Sequence, residues 1–180
     1  MRKILAIAAT LMVVATVQAA TVGWTAGNLG NYKGDAYQIF VIGQNGVTSV
    51  SQITQLLDKG TDVSTYAFGS GTVNTQGAIQ MAGTATGKTL GTGTYTSFMV
   101  FYDASTPAAG SSNYAVASGG AQQTRTIDDK TATTTFGAGN VGPIVSDSAN
   151  WKSFGPVPEP TTVALLAIGL AALGLKRKVA

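Results

Sequence analysis

The chain has 180 residues, 44% of them hydrophobic, a formal charge of +3, and neither Cys nor His. Disulfides, thiolate catalysis, Ser-His-Asp triads, imidazole bases and His- or Cys-ligated zinc are thereby excluded. Nor does the charge describe a nucleic-acid surface. Five of the 11 basic residues are Arg2, Lys3, Lys176, Arg177 and Lys178, and without the end segments Lys33, Lys59, Lys88, Arg125, Lys130 and Lys152 face Asp35, Asp58, Asp62, Asp103, Asp128, Asp129 and Asp147, a net of about −1.

Residues 1–19 read as a secretory signal peptide. Arg2 and Lys3 form a basic start, Ile4–Val17 an apolar core, and small residues follow. Signal peptidase accepts small side chains at the third-last and last positions before its cut. Val17 and Ala19 fit those positions and predict cleavage after Ala19, whereas a cut after Ala20 would place Gln18 third from the end, a poorer fit. Signal peptidase and Sec-type export machinery are the partners this segment implies.

Residues 20–154 have room for one modest core and are rich in Gly, Thr, Ser, Ala and Asn with little charge, a composition that favours strands and turns. Ala36–Ile42 is the strongest predicted strand, ended by the turn signal Gly43-Gln-Asn-Gly46; Tyr95–Tyr102 matches it, ended by Asp103. Both are apolar runs without clean alternation, which predicts central strands covered on both faces. Tyr114–Ala117 is a third strand expected to pair with the second. Val22–Thr25, Tyr66–Phe68, Ala78–Met81, Thr124–Thr126 and Thr131–Phe136 are weaker candidates, and Trp151 sits where a final strand would pack. One helix is expected over Ser49–Gly60, with Ser49 or Ser51 as N-cap, Val50, Ile53, Leu56 and Leu57 at helical spacing, and Lys59-Gly60 as the ending. The expected fold is mainly β, an antiparallel β-sandwich-like domain with one short inserted helix.

The chemistry-bearing motifs are weak. Gly83-Thr-Ala-Thr-Gly87-Lys88-Thr89 ends like a P-loop but has three residues between its glycines instead of four, and Leu90-Gly-Thr-Gly-Thr cannot open a helix; a hairpin is the better reading, as it is for Gly69-Ser-Gly-Thr. Asp58, Asp62 and the pair Asp128-Asp129 lack the density of a calcium loop, which predicts helix-end and turn roles. Seven Asp with no cleft signature give little support to glycosidase chemistry. Trp24, Trp151 and the tyrosines fit core positions better than sugar-stacking platforms. The reading therefore assigns no catalytic residue, no metal site and no cofactor. It leaves a structural or adhesive module, with a carbohydrate- or ligand-binding module (an extracellular polysaccharide as ligand) as the alternative and a glycan-active enzyme third.

Residues 155–160, Gly-Pro-Val-Pro-Glu-Pro, form a proline-rich linker that can continue neither a helix nor a ladder. Residues 161–180 follow as an apolar helix over Thr161–Leu175 and the basic end Lys176, Arg177, Lys178. Fifteen helical residues span about 22 Å, less than the ~30 Å hydrocarbon core, so the basic end must snorkel and stay cytoplasmic. Pro158, Glu159 and Pro160, the short helix and the basic cluster together resemble the PEP-CTERM sorting tail of Gram-negative bacteria. The resemblance implies a transmembrane tail held in the inner membrane, an exosortase-like processing enzyme as partner, cutting near Pro158–Pro160, and delivery to the cell surface or extracellular matrix. It covers residues 157–180 and says nothing of the central domain.

Overall fold

The computed structural model describes residues 19–81, 88–107, 113–118, 124–137 and 141–155; the expected signal helix and C-terminal transmembrane helix fall on residues outside them. Among the described residues ten strands form two sheets: β1 Ala20–Ala26, β2 Ala36–Val41, β3 Gly69–Thr72, β4 Ile79–Met81, β5 Thr89–Leu90, β6 Gly93–Tyr102, β7 Asn113–Ala117, β8 Thr124–Ile127, β9 Thr133–Gly137 and β10 Trp151–Ser153. Two α-helices also lie among the described residues, α1, Val50–Asp58, and α2, Val141–Ser146.

The first sheet is built on β1. β9 runs along Thr21–Thr25, while β5 pairs with Ala20–Thr21 and β4 with Trp24–Ala26, so β4 and β5 share the edge opposite β9. The second has the order β10-β7-β6-β2-β3, and β8 follows β7 along β6, pairing with Gly93–Thr96. Side-chain alternation assigns the faces. Ala20, Val22, Trp24 and Ala26 of β1 meet Tyr37, Ile39 and Val41 of β2 and Met99 and Phe101 of β6 in the core between the sheets. The opposite face of the second sheet presents Ala36, Phe40, Phe98, Val100, Tyr102 and Tyr114 to Ile53 and Leu57 of α1. β2 and β6 are thus covered on both sides, as their uninterrupted apolar runs imply.

Helix α1 begins at Ser49, whose Oγ accepts from the Gln52 N–H at 3.1 Å, while Gln52 Oε1 accepts from the Thr48 N–H at 2.7 Å. It ends where Gly60 adopts φ +70° and donates its N–H to Leu57 O at 2.9 Å.

Four expectations need correction. The sheets are not wholly antiparallel, because β1 and β9 run parallel; the long chain between them supplies the crossover such a pair requires. Tyr66–Phe68 is not a strand: Ser64–Tyr66 form a 3-10 turn and the strand starts at Gly69, so Gly69-Ser-Gly-Thr is a ladder segment and not a turn. A second helix exists, α2, with Pro143 in the first turn where a missing N–H costs no hydrogen bond. The other strands form near their expected positions, and β7 pairs with β6 as expected.

Candidate functional site

A concavity of about 520 Å³ opens between the β3 edge of one sheet and the β4–β5 edge of the other. Tyr37 and Gln38 come from β2, Ser64 from the 3-10 turn, Phe68 and Ser70 from the start of β3, Gln80 from β4 and Lys88 from the approach to β5. Gly71 of β3 leaves room for the Tyr37 ring: a Cβ there would stand 2.7 Å from Tyr37 Oη. Tyr37 is 4% exposed, and burial raises its phenol above the ordinary value. Lys88 Nζ lies 5.7 Å from the centre of the Phe68 ring, a cation–π contact at the mouth.

Gln38 links this groove to the α1 face. Its Nε2 donates to Ser64 Oγ at 3.1 Å and its Oε1 accepts from the Tyr102 hydroxyl at 2.5 Å. Asp62 Oδ1 accepts from the Ser64 N–H at 2.8 Å, and the Ser64 hydrogen bonds hold that carboxyl below its ordinary value. The groove can therefore offer a phenol, hydroxyls, amides and one ammonium on a rigid floor. That set suits hydrogen bonding to a polar ligand.

A second cluster closes the end of the domain. Tyr114 donates its hydroxyl to Asp58 Oδ1 at 2.5 Å. Burial first, then the Asp58 hydrogen bond and charge, raise the Tyr114 phenol; burial, the charge of Asp62 and the neighbouring Tyr114 do the same for Tyr102. Phe154 stacks on Tyr102 with ring centres 5.9 Å apart and meets Tyr114 edge-on at 5.2 Å.

The residues singled out from sequence fall as follows. Ala19 is exposed and Ala20 opens β1, fully buried against the first core; Val17 lies outside the described residues. Pro158, Glu159, Pro160, Lys176, Arg177 and Lys178 also lie outside them, as does 82–87 of the P-loop-like stretch. Lys88-Thr89 runs into strand β5, so no helix follows it. Trp24 is fully buried, stacked on Phe136 at 5.6 Å and tilted against Phe68, so it offers no surface to a sugar. Trp151 is half-buried, stacks on Tyr32 at 5.8 Å and donates its indole N–H to Val145 O at 2.7 Å.

Several described acidic residues serve local structure. Asp147 accepts from the Ala149 N–H at the start of a 3-10 turn, and Asp128 accepts from the Lys130 N–H and the Thr131 hydroxyl. Among the described residues no three acidic side chains gather as metal ligands. Sequence reasoning missed the groove and the Phe154 cluster. The one available signal was Gln38, a lone amide inside an apolar run.

A family model describing the PEP-CTERM protein-sorting motif matches residues 156–178. The β-sandwich is thus joined to a tail of the kind that exosortase-type machinery sorts toward the cell surface, and the chain carries that PEP-CTERM motif directly after its last described residue. No curated protein and no solved structure matches the chain.

Proposed function

We propose that this is an exported protein of a Gram-negative envelope whose β-sandwich acts, without catalysis, as a structural or adhesive module at the cell surface or in the extracellular matrix. The observation that carries the reading is the sorting motif at residues 156–178. In this reading the signal is cut after Ala19 and residues 161–180 hold the chain in the inner membrane until the exosortase-type enzyme acts near Pro158–Pro160. The non-catalytic role is supported by the lack of Cys and His and by the employment of Asp58, Asp62, Asp128 and Asp147 in a tyrosine contact, turns and caps. Mass spectrometry of protein from the surface fraction tests the scheme: the expected species starts at Ala20 and lacks the basic end. A cytosolic protein with both termini intact overturns it.

A second reading is favoured by the groove, whose Tyr37, Gln80, Ser70 and Lys88 groups suit a carbohydrate or similar polar ligand. Glycan-array binding that Lys88→Ala and Tyr37→Phe weaken, with the fold intact, supports it; binding that neither substitution changes removes the groove from consideration.

A further inference from the structure

The last two described residues are held against the domain more firmly than a linker requires. Phe154 fills the space between Tyr102 and Tyr114, and Tyr114 is itself tied to Asp58 at the end of α1. Gly155 abuts the same helix end. Its N–H faces Leu57 O at 3.4 Å, and a Cβ on Gly155 would stand 1.9 Å from the Asp58 carbonyl oxygen and 3.1 Å from Lys59 Cα. Those neighbours are backbone and cannot swing aside, so only glycine fits in this pose. The matched sorting motif begins at the next residue.

We infer that this dock restrains the processing enzyme, so that release of Phe154 and Gly155 from α1 precedes cleavage of the tail. The inference rests on the sorting reading above. Pro158 is three residues beyond Gly155, so at 3.3–3.6 Å per residue its tether is at most about 11 Å. That is roughly the ~10 Å spacing of two packed layers in a protein. An enzyme cleft that encloses an extended peptide on both sides of the motif meets α1 before it is filled. Undocking moves the last fixed point back to Ser153, which β10 still pairs with Asn113, and lengthens the tether to about 18 Å. Only the undocked fraction is then engaged, and the processing rate scales with it.

The test follows tail loss by mass spectrometry in membranes that contain the processing enzyme, using the full chain. Three variants are compared with it: Phe154→Ala, a six-residue Gly/Ser insertion between Gly155 and Pro156, and Glu159→Ala. Phe154→Ala should raise the undocked fraction and speed processing roughly tenfold, the shift that about 1.4 kcal/mol produces. The insertion leaves the dock intact and lengthens the tether, so it should speed processing comparably with an unchanged melting temperature. It keeps the test decisive if Phe154→Ala fails to fold. Processing of the insertion variant at the rate of the unaltered chain, with both blocked by Glu159→Ala, overturns the dock and leaves the sorting reading standing. An unaltered chain that is never processed overturns both.

Discussion

Tyr102 donates its phenolic hydrogen to Gln38 Oε1 across the β2–β6 ladder at 2.5 Å, and Gln38 passes the connection on to Ser64 at the groove. Both partners are buried, Gln38 to 1% exposure. Gln38→Leu removes the acceptor and leaves the hydroxyl buried, so it should cost about 1–3 kcal/mol in urea unfolding. Adding Tyr102→Phe should recover part of that loss, because two apolar partners need no hydrogen bond. A double variant no more stable than Gln38→Leu counts against this account.

The two raised phenols give an alkaline signature. Folded Tyr102 and Tyr114 hold their protons above the ordinary value of 10.0, so the neutral phenol is the form the fold favours. Their contribution is complete below about pH 10 and is lost as pH rises above it toward the folded values. Thermal unfolding across pH 8–11.5 should show a fall in melting temperature that begins near pH 10, and Tyr114→Phe should make the fall shallower. A flat profile in the unaltered protein contradicts the burial of these groups.

Trp24 fills the centre of the first core, and its Nε1 has no hydrogen-bond partner among the described residues. Trp24→Ala opens a cavity between Phe68 and Phe136 and should cost about 3–5 kcal/mol. Trp24→Phe should cost clearly less, because the indole N–H contributes little there. Fluorescence of a Trp151→Phe protein, which retains Trp24 alone, should resist quenching by iodide; strong quenching refutes the packing.

Gly77 has φ +70°, and a Cβ there would lie 2.7 Å from Gly30 Cα. Left-handed backbone alone costs a non-glycine residue about 1–2 kcal/mol, and the contact with backbone adds to it. Gly77→Ala should therefore destabilise by about 2 kcal/mol or more in chemical denaturation. Gly91, with nothing within 4 Å of a Cβ, is the matched control, and its alanine variant should stay within about 0.5 kcal/mol. Equal effects at the two positions contradict the geometry.

Elements whose own side chains define them were readable in the sequence. β2 and β6 announce themselves because both faces are buried, and α1 because Ser49, the spacing of Ile53 and Leu57, and Gly60 agree. β3 was missed because Gly69-Ser-Gly-Thr carries no apolar alternation; it is a strand because β2 offers it a ladder. α2 was missed because Gly142-Pro143 has the look of a breaker, whereas Gly142 is required by close approach to Asn28 and Pro143 sits in the first turn. The groove draws its lining from both sheets and the connecting turns, and no local pattern encodes that assembly. The sorting motif was legible because it is a linear pattern, and the family model matches it at residues 156–178.

β1 finds its two neighbours on one edge at Ile79–Met81 and Thr89–Leu90, and its neighbour on the other at Thr133–Gly137. A growing chain therefore makes its central strand first and completes that strand's sheet only when residue 137 has been synthesised. Such distant pairing is slow, since loop closure must come before the ladder rewards it. Until then the Thr21–Thr25 edge of β1 lacks its parallel neighbour, and Trp24 lacks Phe136, the ring it stacks on in the finished core.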